Sequence, residues 1–424
     1  MLSNWAKSQP RRSRVMPVYL RRPKKTASAS EYIHAVYLSN RDVWLSKNAL
    51  GRKANYYKPY KKFRWWAWFV QDILAQSILQ VGVSWREVQE TTGKGRVRQA
   101  YEVLKLSLLT PAKPENYYMF EWFEAEKASK AKEYLHRYEL KNVIYKMLPT
   151  HNVSLSDKFL FESYARDNNI SVPSTFLHIE AGKVSGKFDE INFDFFVKPN
   201  NGKGGRGAER YEFIGSSFRR ASDGTEMALR EIVHLYREKT RQCEHYSAYI
   251  FQKRIINHAA LKSLSGEAVA TCRVYTMINE NGVPECVGAV FRMPGSMHGI
   301  VDNSHQGGLA APIEIDSGRL GQGSYLGNDG RLGFYDSHPC SGGKIVDFQL
   351  PLWTETLETC LSAHERLRPR VIIGWDVSIC DDGPVLIEAN GQPCTDILQR
   401  RNRSPLGNAR FGEIISFHLK ERGL

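Results

Sequence analysis

The stretch VIIGWDVSICDDGPVLIEANGQP, residues Val371 to Pro393, holds two apolar runs around Cys380-Asp381-Asp382-Gly383. Asp-Asp-Gly between apolar runs is the chemistry of a tight reversal, so the segment reads as a β-hairpin. Three polar residues break its character: Asp376 inside the first run, and Glu388 and Asn390 at the end of the second. Pairing through the turn brings Asp376 near Glu388 at one end of a sheet, with Asn390 two residues on and on the same face. A buried carboxylate is costly unless a cation offsets it. Two carboxylates and an amide oxygen converging in this way form a hard-cation site, suited to magnesium or manganese that also holds substrate phosphates. The alternative, a set of solvated edge acids, is the reading for Asp381 and Asp382, which sit in the turn.

A second constellation lies upstream, in FVKPNNGKGGRG over residues 196–207. Lys198 ends an apolar strand, and Gly202, Gly204, Gly205 and Gly207 follow, interleaved with Lys203 and Arg206. Glycines let backbone N–H groups approach a phosphate closely, and the cations offset its charge. No G-K-[ST] sequence is present, and the loop runs into the strand YEFI instead of opening a helix. Neither a P-loop nor a dinucleotide turn fits, and a flexible hairpin loop and a nucleotide cover both remain open.

Around these motifs the texture is short strands and helices. SDKFLFESYARDNN reads as a helix capped at Ser156 or Asp157, ISVPSTFLHIE as a strand, and AYIFQKRI as another. GEAVATCRVYTMINENGVPECVGAVFRMPG reads as two strands joined at Asn-Gly, and PLWTETLETCLSAHERL as the helix leading to the opening hairpin. Alternation of this kind over residues 151–424 predicts an α+β catalytic region. Residues 63–150 read as a mainly helical domain, in which EWFEAEKASKAKEYLHRYELKNVIYKML predicts one helix of about 28 residues ending at Pro149.

The formal charge of +14 is concentrated: residues 1–62 carry fifteen Lys and Arg against two acids, which leaves the remainder close to neutral. This arm reads as basic and flexible, with an anionic surface (a membrane or an acidic partner) as its counterpart and no sign of specific nucleic-acid recognition. Its first thirty residues, free of acids, also have the composition of a mitochondrial transit peptide. The first apolar segment of useful length begins near Trp65, so no secretory signal is read. FRWWAWFVQDILAQSILQVGVSW, from Phe63, approaches a membrane span in length, but Asp72 and three glutamines argue against spanning. A half-buried helix and an interfacial amphipathic helix remain. Seven cysteines, odd in number and without a C-x-x-C pair, indicate a reducing, cytoplasmic setting, peripheral to a membrane if the arm binds lipid. Cys340 near His338 is the closest approach to zinc-ligand spacing.

Taken together, a strand-end lysine, a Gly-rich loop, a later strand with a polar residue before an apolar hinge, and a final Asp with Glu-x-Asn resemble the ATP-grasp enzymes. DNSHQGGLAAPIEIDSG, HPCSGGKIVDFQLPLW and IGWDVSICDDGPVLIEANGQPCTDILQ are similar to the sugar-transfer-associated ATP-grasp family, from about Tyr117 to Gln399. The resemblance implies two α+β lobes clasping ATP, a small lobe over about 187–256 and a large one over about 257–424. It implies that Lys198 holds the ATP phosphates, with Lys158 a second contact or a solvated helix lysine. The loop with Lys203, Gly204 and Gly205 closes over the phosphates. Gln252, Lys253 and Ile255 lie at adenine, by side chain or backbone. Asp376, Glu388 and Asn390 become ligands of Mg2+, or Mn2+, with Glu388 bridging two ions. Arg273 and Arg292 reach an acyl phosphate or a substrate carboxylate, or form structural salt bridges. Asn303 holds the γ-phosphate or metal, and His305 is a weaker candidate for proton transfer. Many ATP-grasp ligases carry an Arg just before the metal Asp, where this chain has Gly374 and Trp375.

The chemistry implied is ATP-dependent joining of a carboxylate to an amine through an acyl phosphate. A kinase passing the γ-phosphate to a hydroxyl of a small molecule or saccharide is the alternative, and a non-catalytic binding protein anchored by its arm is a third.

Overall fold

The computed structural model describes residues 27–37, 73–110, 112–187, 191–202, 206–242, 246–295, 308–327 and 329–424. Lys203, Gly204, Gly205, Asn303 and His305 lie outside the described residues, as do most of the basic arm and the aromatic stretch 63–72.

From the arm, residues 29–37 form a helix (α1) whose Ile33 and Val36 are buried. Its His34 pairs through Nδ1 with the fully buried Glu139. Gln76–Thr92 (α2) and Arg96–Leu109 (α3) form a helical hairpin. Gly93 closes α2 at φ 70, a left-handed conformation that a residue without Cβ adopts at no steric cost, and its N–H returns to the Gln89 carbonyl at 2.8 Å. The pair buries Val81, Val88 and Val103 together with Ser77, Ser84, Gln99 and Ser107, while Ile78, Leu79, Val83, Val97, Tyr101, Leu108 and Leu109 are exposed. No helix among the described residues is long and apolar enough to cross a membrane.

Pro114–Met119 (α4) follows. The single 28-residue helix expected over residues 121–148 does not form; the segment breaks into a short helix at Ala125–Ser129, a turn at Ala131–Glu133 and, beyond Tyr134, a helical run from Arg137 to Met147 that is wound as a π-helix over Leu140–Ile144. The physical reason lies at Tyr134, which is extended (φ −74°, ψ 135°) so that its ring packs 4.5 Å from Phe120 and 5.4 Å from Trp122. Burial of these aromatics outweighs helix propensity. The segment does end before Pro149, with Leu148 extended as a residue preceding proline prefers.

Two seven-stranded antiparallel sheets make up the rest. The first comprises Thr175–Glu180 (β1), Lys183–Gly186 (β2), Phe195–Pro199 (β3), Glu209–Phe213 (β4), Phe218–Arg220 (β5), Glu226–Met227 (β6) and Ala248–Lys253 (β7), in the order β2-β1-β7-β3-β4-β5-β6. Lys158–Asp167 (α5) precedes it, capped by Asp157, whose carboxylate accepts the Leu160 N–H at 2.9 Å. Leu229–Gln242 (α6) covers one face, packing Ile232, Val233 and Tyr236 against Phe195, Val197 and Phe251. Because strand side chains alternate, Phe196, Lys198, Ile250 and Gln252 point to the other face.

The second sheet comprises Thr271–Ile278 (β8), Pro284–Met293 (β9), Leu309–Pro312 (β10), Gly323–Ser324 (β11), Phe334–Tyr335 (β12), Ile372–Cys380 (β13) and Gly383–Asn390 (β14), in the order β12-β11-β10-β9-β8-β13-β14. Trp353–Arg366 (α7) packs Cys360 and Ala363 on one face, against Cys272, Val274, Trp375 and Val377. Asp396–Asn402 (α8) and Arg410–Glu421 (α9) pack Leu398, Phe411 and Ile414 on the other, against Tyr275, Met277 and Val290. The opening hairpin forms as read, β13 and β14 joined through Asp381 and Asp382, with Asp376 directly opposite Glu388.

Candidate active site

Asp376 sits at the centre of a three-strand row. It pairs with Glu388 on β14 and with Arg273 on β8, so all three side chains share a face. A bulge between Asp376 and Val377 interrupts the ladder at that point. The Arg273 guanidinium forks onto the carboxylate, with Nε on Oδ1 and Nη2 donating to Oδ2 at 2.8 Å. Arg292, from the end of β9, adds Nη1 at 3.1 Å from Oδ1. Burial alone would raise the Asp376 pKa; Arg273 and then Arg292 outweigh it and hold the carboxyl below its usual range. In return Asp376 keeps Arg273 charged against burial. The cation that the burial of Asp376 calls for is thus supplied by two guanidiniums.

Glu388 and Asn390 are half-buried on the same strand, and Glu388 lines a cleft. Leu155, Lys158, Phe161 and Glu162 enclose the cleft from the α5 side, Val172, Pro173 and Gln252 from the first sheet, and Leu386 to Ala389 from β14. The cleft therefore lies between the two sheets. Gln252 is buried there: its Nε2 donates to Thr175 Oγ1 at 3.1 Å and to the Pro173 carbonyl at 3.3 Å, while its Oε1 accepts nothing among the described residues. Asn390 Nδ2 is likewise buried, with no partner among the described residues. The two side-chain amides thus leave one acceptor, on Gln252 in the cleft, and one donor, on Asn390 two residues beyond Glu388, without a partner among the described residues.

Lys198 projects from β3 toward the cleft side of its sheet. Burial, with Lys158 nearby adding to it, pushes its pKa down to about 8, and Glu388 opposes the fall. The electrostatic coupling places a lysine of the first sheet and a carboxylate of the second within each other's field. Lys158, the first residue of α5, directs its ammonium to the base of the glycine loop, donating to the Gly202 carbonyl at 2.8 Å and the Asn200 carbonyl at 3.4 Å. Asn200 reciprocates, its Oδ1 accepting the Phe159 N–H at 2.9 Å. Lys158 thus ties Asn200 and Gly202 to α5. Lys158→Met is expected to speed amide hydrogen exchange at residues 200–202 several-fold while the Asp157 cap keeps α5 formed; unchanged protection there would show that the lysine does not hold the loop.

Two residues expected at adenine are not brought into the cleft by their side chains. Lys253 pairs with Phe195, and its ammonium lies 5.4 Å from the Phe193 ring, on the face opposite Gln252. Ile255 follows the strand half-buried and does not line the cleft. Gly374, in the place where an arginine was noted as missing, has no room for one: a Cβ there would lie 2.6 Å from Pro393 Cβ. His338 turns its ring to the backbone, with Nε2 3.0 Å from the Pro294 carbonyl and Nδ1 accepting from Cys340 N at 3.3 Å, and among the described residues no His, Cys, Asp and Glu group could hold a metal by itself.

Glu162 was not singled out in the sequence. It is buried on α5 and lines the cleft, accepting the Thr175 N–H at 2.7 Å and the Gln252 Nε2 at 3.4 Å. Its signal was a carboxylate beside Phe161 on the buried side of an amphipathic helix. In kind, the oxygens of Glu388 and Asn390 fit a hard divalent cation, and Asp376 fits as a ligand shared with Arg273 and Arg292.

The sequence matches the family described as sugar-transfer associated ATP-grasp over residues 136–410, more than half of the chain. The protein belongs to this family, and its fold is the α+β ATP-grasp fold preceded by a helical region. Among solved structures it is similar to the D-alanine–D-alanine ligase of Bacillus anthracis, with 14% identity over 64% of this chain and 70% of that one and a TM-score of 0.36. It is also similar to an L-amino acid ligase of Bacillus licheniformis, with 10% identity over 63% of this chain and 48% of that one and a TM-score of 0.36. A third is an N5-carboxyaminoimidazole ribonucleotide synthetase, with 9% identity over 57% and 46% and a TM-score of 0.33. The chain spans about half the length of the last two. No curated protein matches the sequence.

Proposed function

We propose that the protein is an ATP-dependent carboxylate–amine ligase that binds ATP in the cleft between its two sheets. The observation that carries the reading is the apposition of Glu388, beside an Asp376 row bearing two arginines, to Lys198 and Lys158 on the other side of the cleft. Lys198 and the glycine loop hold the phosphates, and Gln252 meets the purine edge. Glu388, Asn390 and Asp376 would hold magnesium, which when bound offsets charge on the phosphates. Arg273 and Arg292 neutralise charge on the transferring phosphoryl group and the substrate carboxylate, and Asp376 sets the direction of both guanidiniums. A carboxylate oxygen attacks the γ-phosphorus and ADP leaves; an amine then attacks the acyl carbon and inorganic phosphate leaves. Closure of the two lobes over the cleft limits hydrolysis of the acyl phosphate. The test is ADP release across a panel of carboxylate and amine pairs, with product mass: a condensed product with loss of water supports the reading, and transfer of phosphate to a hydroxyl replaces it with a kinase.

We further propose that the N-terminal region meets an anionic lipid surface. Support comes from the +13 charge of residues 1–62 and from the seven bulky side chains that α2 and α3 expose. The protein is expected to sediment with vesicles containing phosphatidylglycerol and not with pure phosphatidylcholine, and I78E/L79E/V83E to weaken sedimentation at least several-fold. Equal recovery with both vesicles would sink the proposal.

A further inference from the structure

We infer that Glu162 is a positioning residue that fixes the side-chain amide of Gln252 with its oxygen toward the nucleotide, so that the cleft selects a 6-aminopurine and rejects a 6-oxopurine such as guanine or hypoxanthine; the inference rests on the ATP-binding reading above and extends it to the choice of base. Gln252 is 5% exposed, and its Nε2 has three partners: Thr175 Oγ1 at 3.1 Å, the Pro173 carbonyl at 3.3 Å and Glu162 Oε2 at 3.4 Å. The two ends of a glutamine amide have almost the same shape, so the polarity of the neighbours decides which end goes where. The Pro173 carbonyl can only accept. The Thr175 hydroxyl could serve either way, and Glu162 commits it: Oγ1 donates its one proton to Glu162 Oε2 and has only lone pairs left for Gln252. The carboxylate is in turn held as an acceptor, its Oε1 taking the Thr175 N–H at 2.7 Å and Arg166 Nη2 at 3.1 Å. All three neighbours of the amide are therefore acceptors. Nε2 must face them, and Oε1 is left buried with nothing to accept among the described residues.

Gln252 and Glu162 line the cleft together with Leu155, Phe161, Val172 and Leu386, apolar side chains that suit the faces of a flat ring. On such a wall, an acceptor without a donor favours a ligand edge that carries an N–H. Adenine offers one in its 6-amino group. Guanine and hypoxanthine carry a carbonyl oxygen at that position, and binding them would set two acceptors against each other with neither satisfied. Glu162 acts through its neighbours and not on the base, because Thr175, Arg166 and Gln252 already occupy its oxygens. The choice of base thus passes along three side chains, from Glu162 on α5 through Thr175 at the start of β1 to Gln252 on β7.

The test is calorimetric binding of three magnesium-loaded diphosphates to the full chain, as wild type and as E162Q: ADP, inosine diphosphate, and the diphosphate of purine riboside, which has only hydrogen at position 6. Glutamine at 162 keeps the shape of the side chain. With its oxygen on the Thr175 N–H, its amide nitrogen falls where Oε2 was and donates to the Thr175 hydroxyl, whose proton is then free to turn to Gln252. The relay reverses, and Gln252 can present Nε2 to the base. The wild type is expected to prefer ADP to inosine diphosphate by at least about 100-fold, and E162Q to narrow that preference by at least about 10-fold. Measured against purine riboside diphosphate, ADP loses and inosine diphosphate gains. The ratio is the informative quantity, because Glu162 also supports the charge of Lys198, an effect common to every nucleotide. A ratio of ADP to inosine diphosphate affinity unchanged in E162Q, or a wild type without preference, overturns the inference and leaves the ligase reading standing. A wild type that binds none of the three sinks that reading and the inference with it. Should E162Q not fold, E162M, which also frees the Thr175 proton, decides on the same ratio.

Discussion

Replacing Asp376 by alanine is expected to lower Tm by on the order of 10 °C, more than any other single change at the site. The carboxylate is buried between Arg273 and Arg292, so its removal takes away the counter-charge that both guanidiniums share. Breaking a buried ion pair from one side costs about 3–5 kcal/mol, and each kcal/mol moves the midpoint by about 2–4 °C in a domain of this size range. Asp376→Asn keeps the shape and is expected to lose nearly as much. The pH dependence has a definite sign. The folded-state pKa of Asp376 is depressed below the unfolded value of about 3.9, so the contribution is fully present above that pH and is lost as pH falls through the folded pKa. The gap in Tm between wild type and mutant should narrow in acid below about pH 4. Calorimetry over that range checks both statements, and an unchanged midpoint at pH 7 would mean that the ion pair does not hold the three strands together.

Replacing Glu388 by glutamine is expected to have the opposite profile: little change in Tm and a loss of ATP turnover by at least about 100-fold, the scale attached to removing one electrostatic element of a phosphoryl-transfer site. Glu388 is half-buried and lines the cleft; it lies opposite Asp376 and adds to the field that keeps Arg273 charged, but the fork of Arg273 is on Asp376, so the fold depends less on its charge. The same substitution bears on Lys198. Glu388 opposes the depression of the lysine pKa to about 8, so glutamine should move the titration of Lys198 lower still. Lys198 therefore loses its proton at a lower pH in E388Q, and ATP affinity should fall off with rising pH earlier than in the wild type. ATP turnover close to the wild-type rate would rule out the role given to Glu388.

The hairpin from Val371 to Pro393 was legible because a hairpin's signals are local: two apolar runs, a turn of Asp-Asp-Gly, and alternation that puts Asp376 and Glu388 on one face. The partners of Asp376 were not. Arg273 and Arg292 reach it across strands 103 and 84 residues away in sequence, and only the sheet order sets which residue lies opposite which. An acid in an apolar strand announced a missing cation, and either a metal or a guanidinium would have satisfied that reasoning. Strand parity decided Lys253, which points away from the cleft while its neighbour Gln252 points in. Tertiary burial decided residues 121–148, where local periodicity read as one helix but Tyr134 had to turn inward. Glu162 escaped notice because its partners Thr175 and Gln252 lie on strands that follow it at different distances.

The central claim is that a carboxylate is activated in this cleft as an acyl phosphate. Its most direct measurement is trapping with hydroxylamine: the wild-type protein, Mg-ATP and a panel of carboxylates, with the acyl hydroxamate and ADP quantified together. The account predicts hydroxamate and ADP in equal amounts for at least one carboxylate, dependent on Mg-ATP and absent in E388Q. ADP formed with a phosphorylated hydroxyl and no hydroxamate from any carboxylate would contradict it.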